Sequence, residues 1–282
     1  MGDSIVQKVQ AACWGDLQWF VERYTAELST DLQRGIQALR TTNQAEKKIL
    51  GNCRILRTVR HNLAERYPLT EEIGKKLEEQ IQKAEIQAAE FFLATHLPTI
   101  KDHFMEDCTD VRWVRLHLEE KLQILDMKQC ERFVRTIHHR TCVECLRALL
   151  MALRRLSSAE QKDVSRAFLK EGQQMQNLFK KHLGPGSAPL INPIESTAAI
   201  LHAKDFGALK YDVLYLITAH PDVRDEHLCT LVDSNTSVSR KEKKAVLNLL
   251  QNREEPTEES EFLFFEDIEL GRRKLFFCLC CC

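Results

Sequence analysis

The sequence predicts an all-α chain: elongated, stacked antiparallel bundles of long helices, closed by a bundle of shorter ones. Three observations carry this. Apolar residues recur three and four positions apart along almost the whole chain, the spacing of a helical stripe. Breakers are few, 10 Gly and 7 Pro in 282 residues, while 29% of residues are charged, a balance that suits long surface helices better than turn-rich sheets. No alternating apolar and polar run stands out, and no Asn-Gly or Asp-Gly pair separates two apolar runs as a hairpin would require.

The elements follow in order. Val6, Val9, Cys13, Leu17, Phe20, Tyr24 and Leu28 fall on one stripe and predict the first long helix. Ile49, Cys53, Leu56, Val59 and Leu63 predict a second. Ile73, Leu77, Ile81, Ala84, Ala88 and Phe91 predict a third, opened by Pro68-Leu69-Thr70. Helices are expected from Trp113 to Leu125 and from Cys130 to Leu156. Ser158-Ala-Glu-Gln161 reads as the capping box of the next, with Ser accepting from a backbone N–H and Gln reaching back. GPGSAPLINP, Gly184 to Pro193, is the clearest linker. Short helices are expected over Ile194–Lys204, Ala208–Ala219, Val223–Val232 and Arg240–Leu250, the last opened by a second capping box, Ser239-Arg-Lys-Glu242. Pro221 ends one of these helices and disfavours helix at His220, leaving Asp222 to cap the next. The expected organisation is a long-helix bundle over 1–105, a middle bundle over 106–183, a short-helix bundle over 194–252 and a tail over 253–282. The tail is first acidic and then Cys-rich. Its eight acids between 254 and 270, interleaved with Phe262, Leu263, Phe264, Phe265, Ile268 and Leu270, suggest a mobile or loosely docked segment.

Composition narrows the function. Forty basic against 41 acidic residues give a net charge of −1 and no reason to expect a nucleic-acid partner. No run of 18 apolar residues predicts a membrane span. The start, MGDSIVQKVQ, lacks the basic and apolar regions of a signal peptide, and Val6 stands where myristoylation wants Ser or Thr. A reducing, cytoplasmic setting is therefore expected, in which Cys13, Cys53, Cys108, Cys130, Cys142, Cys145 and Cys229 act mostly as small buried hydrophobes.

Sites of chemistry are scarce. In HHRTCVEC, a helix would put His138, Cys142 and Cys145 on one face, three candidate zinc ligands. The same stripe continues apolar through Leu149 and Leu153, so the core reading is preferred and no cofactor or metal is expected. No phosphate-cradling GxxxxGK[ST], HExxH or GxSxG occurs, and isolated His96, His117 and His202 have no convergent partner in sequence, so an enzyme is not expected. The basic run Arg240–Lys244 reads as the solvated face of a capped helix. The final stretch reads either as an ordinary terminus or as a candidate peripheral membrane contact: Arg272, Arg273, Lys274, Phe276 and Phe277 at the surface, with Cys278, Cys280, Cys281 and Cys282 as candidate acylation sites. It is no prenylation box, because Leu279 is fourth from the end.

AFLKEGQQMQNLF (167–179) and the run from Ala198 to Leu250, which contains KYDVLYLITA, carry a family resemblance. They resemble the C-terminal end of the exocyst complex component 3 family, in its divergent component 3-like and tumour-necrosis-factor-alpha-induced protein 2 branch. His220, Pro221, Asp222 and Val223 occupy the family's turn, and His227 and Leu228 its following helix. HFMEDCTDVRWV and CVECLRALLMAL are similar to its middle helices. The resemblance covers residues 90–250. Family members are much longer, and Asp233-Ser-Asn-Thr236 departs from their Arg-Gly-Asp-like stretch. The resemblance implies a rod of helical bundles, as in multisubunit tethering complexes. It implies a non-enzymatic role in docking secretory vesicles during exocytosis, with other exocyst subunits and SNARE proteins as partners, peripheral to the plasma membrane or vesicles. The alternative is a membrane-associated adaptor that works outside the exocyst and is held by the Cys-rich tail.

Overall fold

A computed structural model describes residues 2–35, 43–66, 71–125, 130–184, 187–248 and 262–270. Among these residues there are ten α-helices and no strand: α1 Gly2–Gly35, α2 Asn43–Arg66, α3 Glu71–Glu106, α4 Val111–Gln123, α5 Glu131–Leu153, α6 Ser158–Lys180, α7 Pro193–His202, α8 Phe206–Ala219, α9 Asp225–Ser234 and α10 Arg240–Asn248. The chain forms two compact units. One holds residues 1–98, 119–137 and 179–188; the other holds 99–118, 138–178 and 189–282. Helices α3, α4, α5 and α6 contribute residues to both. The assignment changes within α3 at Pro98, whose ring removes a backbone donor from the helix.

In the first unit, Trp14 and Val21 of α1, Leu56 of α2, and Leu77 and Ile81 of α3 make a buried cluster, with Leu17 and Tyr24 packed against it. The stripe expected on α1 is rotated. Val6, Val9 and Phe20 are about half exposed, at 50%, 56% and 53%, and Cys13 is exposed. The covered face instead runs Trp14, Leu17, Val21, Tyr24 and Thr25, where the Thr25 hydroxyl turns inward and donates to the Val21 carbonyl at 2.7 Å. Helical spacing marks both faces of α1 as apolar, and packing against α2 and α3 selects one.

A charged layer lies beside this core. Arg57 donates from Nη1 to Glu78 Oε1 at 2.8 Å and from Nε to Glu85 Oε1 at 2.7 Å. Glu85 is fully buried, and its second oxygen accepts from the Arg132 backbone N–H in the first turn of α5 at 3.0 Å. One buried carboxylate thus pairs a half-buried guanidinium and satisfies an orphan donor at a helix start. Burial pushes the Glu85 carboxyl up against the pull of Arg57. Burial acts the same way on Glu78, but Arg57, Gln82 and Arg60 hold that carboxyl below its ordinary value.

The second unit gathers the apolar face of α5 (Cys142, Cys145, Leu146, Leu149, Leu153) with Val164 and Phe168 of α6 and the short helices. Among the short helices, α7 packs on α8 and α9, and α10 packs on the same two. Two devices set their close approach. A side chain at Gly172 would place its Cβ 2.8 Å from Ile194 Cγ2, so only glycine lets α6 meet α7 there. Asn235 is fully buried and fully used. Its amide nitrogen donates to the Ile200 and Ala203 carbonyls at 2.8 and 2.9 Å, and its oxygen accepts from Ser237 and Val238 at 2.8 and 3.1 Å.

The helix starts show which local readings hold. Ser239 and Glu242 form the expected capping box: Glu242 accepts from the Ser239 N–H and hydroxyl, and donates its own N–H back to Ser239 Oγ at 3.4 Å. The box of α6 sits one residue earlier than expected. Ser157 donates its N–H and hydroxyl to Glu160 at 2.8 and 2.6 Å, while Gln161 reaches the Leu153 and Leu156 carbonyls at the end of α5. Two overlapping boxes were possible, and the carboxylate is the stronger acceptor at a helix start.

Candidate docking site

The site grows from the break between α8 and α9. Helix α8 stops at Ala219. His220 closes it with an N–H to the Leu216 carbonyl at 2.8 Å, and Pro221 prevents continuation. Arg224, extended, is the N-cap of α9, and its N–H donates to His227 Nδ1 at 3.2 Å. Asp222 was expected to cap α9. Instead its Oδ2 accepts from the backbone N–H groups of Phe265 and Glu266 at 2.5 and 3.1 Å. The carboxylate that the proline break frees is used 43 residues further along the chain.

The acceptor of this attention is a nine-residue strap, Phe262–Leu270. It lies in the stretch expected to be mobile or loosely docked, yet Phe264, Phe265, Ile268 and Leu270 are buried, Phe265 at 0% exposure. Residues 253–261 and 271–282 lie outside the described residues.

The strap runs alongside α5 in the same direction. His139 Nε2 donates to the Leu263 carbonyl at 2.7 Å, Arg147 to the Asp267 carbonyl at 3.0 Å, and Arg154, just past α5, to the Leu270 carbonyl. From α9 and its cap, His227 Nε2 donates to the Ile268 carbonyl at 2.8 Å, joined there by Arg224. Within the strap the Ile268 N–H returns to the Phe265 carbonyl at 3.0 Å and makes a turn. The spacing has a simple origin. Arg147 and Arg154 are seven residues apart, about 10.5 Å along a helix, and their targets are three residues apart, about 10 Å along an extended chain.

Three histidines line the strap, and for His227 the geometry fixes the state. His227 accepts at Nδ1 and donates at Nε2, so it is the neutral Nε2-protonated tautomer. Burial lowers its pKa, against the hydrogen bond to Ile268. Burial likewise lowers His139, whose ring meets Phe262 and Phe264 at 5.1 and 4.8 Å. His220 stands edge-on to Phe264 and Phe265 at 5.4 and 5.7 Å, and burial takes its pKa to about 4. The ion pair between Arg140 and Asp267, at 3.3 Å, is exposed on both sides.

The positions that carried the family resemblance meet here. His220 and His227 hold the strap's rings and carbonyl, Asp222 its amides, and Val223 and Leu228 are buried beneath. Sequence reasoning missed Arg140, Arg147 and Arg154, although their seven-residue repeat is visible in the chain, and it missed the strap itself. The candidate zinc ligands lie in the core of α5. Cys142 Sγ is 3.5 Å from His138 Nε2, both Cys142 and Cys145 are buried, and burial raises both thiols away from the thiolate a metal needs. Among the described residues no group of three or more His, Cys, Asp or Glu side chains is placed to hold a metal. Among them, too, no helix is long and apolar enough to cross a membrane. Arg272, Arg273, Lys274, Phe276, Phe277, Cys278, Cys280, Cys281 and Cys282 lie outside the described residues.

Comparison with known proteins supports the resemblance. No family model matches the chain. An exocyst complex component 3-like protein from Danio rerio is 29% identical over 145 residues, 49% of this chain and 18% of that protein. The crystal structure of M-Sec superposes with a TM-score of 0.65 at 15% identity, covering 95% of this chain and 47% of that one. The all-helical fold is thus shared with M-Sec. The chain spans less than a fifth of the length of the fish relative and about half of the M-Sec chain.

Proposed function

We propose that the chain is a non-enzymatic protein of the vesicle-tethering kind, acting in exocytosis by offering helix-built surfaces to other proteins. The observation that carries this is local. The residues resembling the exocyst family, His220 to Val223 with His227 and Leu228, build a surface that grips a peptide backbone. Gripping a chain is the work of a scaffold. The relative's name, an exocyst complex component 3-like protein, points the same way, and with it come the expected partners: other exocyst subunits, and SNARE proteins at the plasma membrane or on secretory vesicles.

The test is association. The tagged chain is recovered from its own cells at moderate salt and its partners are identified by mass spectrometry. Several exocyst subunits in comparable amounts support the reading; their absence refutes it.

A second reading rests on the sequence of residues 271–282, where Arg272, Arg273 and Lys274 precede Phe276, Phe277 and four cysteines. In it, acylated Cys278, Cys280, Cys281 and Cys282 hold an adaptor on the bilayer independently of the exocyst. Deleting 271–282 then releases the protein from membranes, whereas a chain held by partner proteins stays bound.

A further inference from the structure

We propose that the groove between α5 and the α8–α9 break is a peptide-docking site and that Phe262–Leu270 is its resident intrachain ligand. The partner it fits is a protein presenting a short acidic–aromatic segment: two consecutive aromatics, two acids, an aliphatic residue, any residue, then leucine. The inference rests on the reading of the chain as a binding protein, not on exocyst membership.

Four observations lead here. The groove reads main chain. Seven of its hydrogen bonds end on strap carbonyls or amides, so any segment of the same backbone path satisfies them. Selectivity comes from the buried anchors, Phe264, Phe265, Ile268 and Leu270. One charge pair crosses from groove to ligand, Arg140 with Asp267, while Arg147, Arg154 and Arg224 read carbonyls, two of them also paired to Glu144 and Glu226. Finally, the strap is joined to α10 through residues 249–261, thirteen residues with five Glu and one Pro. A chain of that length spans up to about 45 Å, so leaving the groove does not require α10 to unwind.

That tether also favours a heterologous partner over a second copy. It keeps the resident strap at an effective concentration on the order of millimolar. The same strap on another copy binds no better and is more dilute. A different protein displaces the resident when it adds contacts outside the groove.

The experiment removes the tether. A protease site is inserted after Asn252 in the otherwise full chain, the chain is cut under native conditions, and a fluorescein-labelled peptide of sequence EFLFFEDIELG is added. Anisotropy is expected to rise saturably, with competition by unlabelled peptide and none by a peptide carrying the Phe264→Asp and Phe265→Asp changes. The uncut chain is expected to bind at least tenfold more weakly, and Arg147→Ala with Arg154→Ala in the cut chain to weaken binding about tenfold or more. The proposal is overturned if the cut chain keeps its helicity yet never exchanges its strap over a day. It is equally overturned if cutting unfolds the chain, which would make the strap core. Exchange seen only between copies, as dimers of the uncut chain in size-exclusion chromatography, would assign the groove to a second copy instead. Failure of the exchange leaves the tethering reading standing, and failure to recover exocyst subunits leaves this one standing.

Discussion

The charged layer beside the first unit's core and the strap site of the second handle polarity in opposite ways, although elsewhere the second unit also pairs charge with charge, as at Arg115 and Glu171. The first places a carboxylate between a guanidinium and a helix start, so that charge meets charge: Glu85 with Arg57 and the Arg132 amide. The second, at the strap, buries neutral histidines and lays part-exposed arginines against carbonyls, so that side chains meet backbone. A charge pair of the first kind tolerates no missing partner. A backbone grip of the second kind is distributed over many weak bonds and is reversible. The contrast separates a region built to stay closed from one built to hold and release.

The largest effect is expected where the charge pair is broken. Glu85→Ala leaves Arg57 half-paired and the Arg132 amide orphaned, and should destabilise the chain by about 3–5 kcal/mol, read as a lower urea midpoint. The double change Arg57→Met with Glu85→Leu should recover part of that loss, because no lone charge is left behind.

Acid should divide the units. An unfolded histidine takes its proton near 6.5, whereas buried His220 resists until about 4. Its contribution is therefore complete above pH 6.5 and is lost as the pH falls from 6.5 to about 4, on the order of 3 kcal/mol. His139 and His227 are lowered too and act in the same direction, with Asp222, Glu226, Asp267, Arg140 and Arg224 the charged groups around them. Glu85 runs the other way: its raised carboxyl takes a proton more readily folded than unfolded, so acid relieves it. Hydrogen exchange at pH 5 should therefore rise at 262–270 while 77–92 stays protected. Equal loss in both segments would remove the distinction.

Asp222→Ala deprives two strap amides of their acceptor and should cost about 1–3 kcal/mol. It should appear as faster proteolysis near 262–270 with helicity retained, since the α9 cap comes from Arg224 and His227 and not from Asp222. The smallest effect belongs to Arg140→Ala. Its pair with Asp267 is exposed at 38% and 64%, so the change should stay within about 0.5 kcal/mol in the same assay.

Helices were legible from the sequence because helical periodicity is local. The Pro221 break and the Ser239–Glu242 box were legible for the same reason, each needing only four residues. The α1 stripe was rotated because α1 carries apolar residues on both faces, and only the partner decides which face is covered. The strap was hidden for a stronger reason. Its nine residues look solvated by composition, and what buries them lies as far as 124 positions earlier, at His139. Asp222 was misassigned by the same distance: a carboxylate after proline looks like a cap until the competing donors, 43 residues on, are in view.

The arginine spacing on α5 has one more consequence. A helix rung every seven residues, set against an extended rung every three, is a ruler whose divisions differ by about half an ångström. One division is set here, from Arg147 at Asp267 to Arg154 at Leu270, while Arg140 pairs with the Asp267 side chain, and over that single division the error is absorbed by a flexible guanidinium. Over many it would accumulate until donor and carbonyl no longer met. Arg154 is the last division, one residue beyond the end of α5 at Leu153. The helix therefore sets not only where a segment binds but how much of its backbone α5 reads.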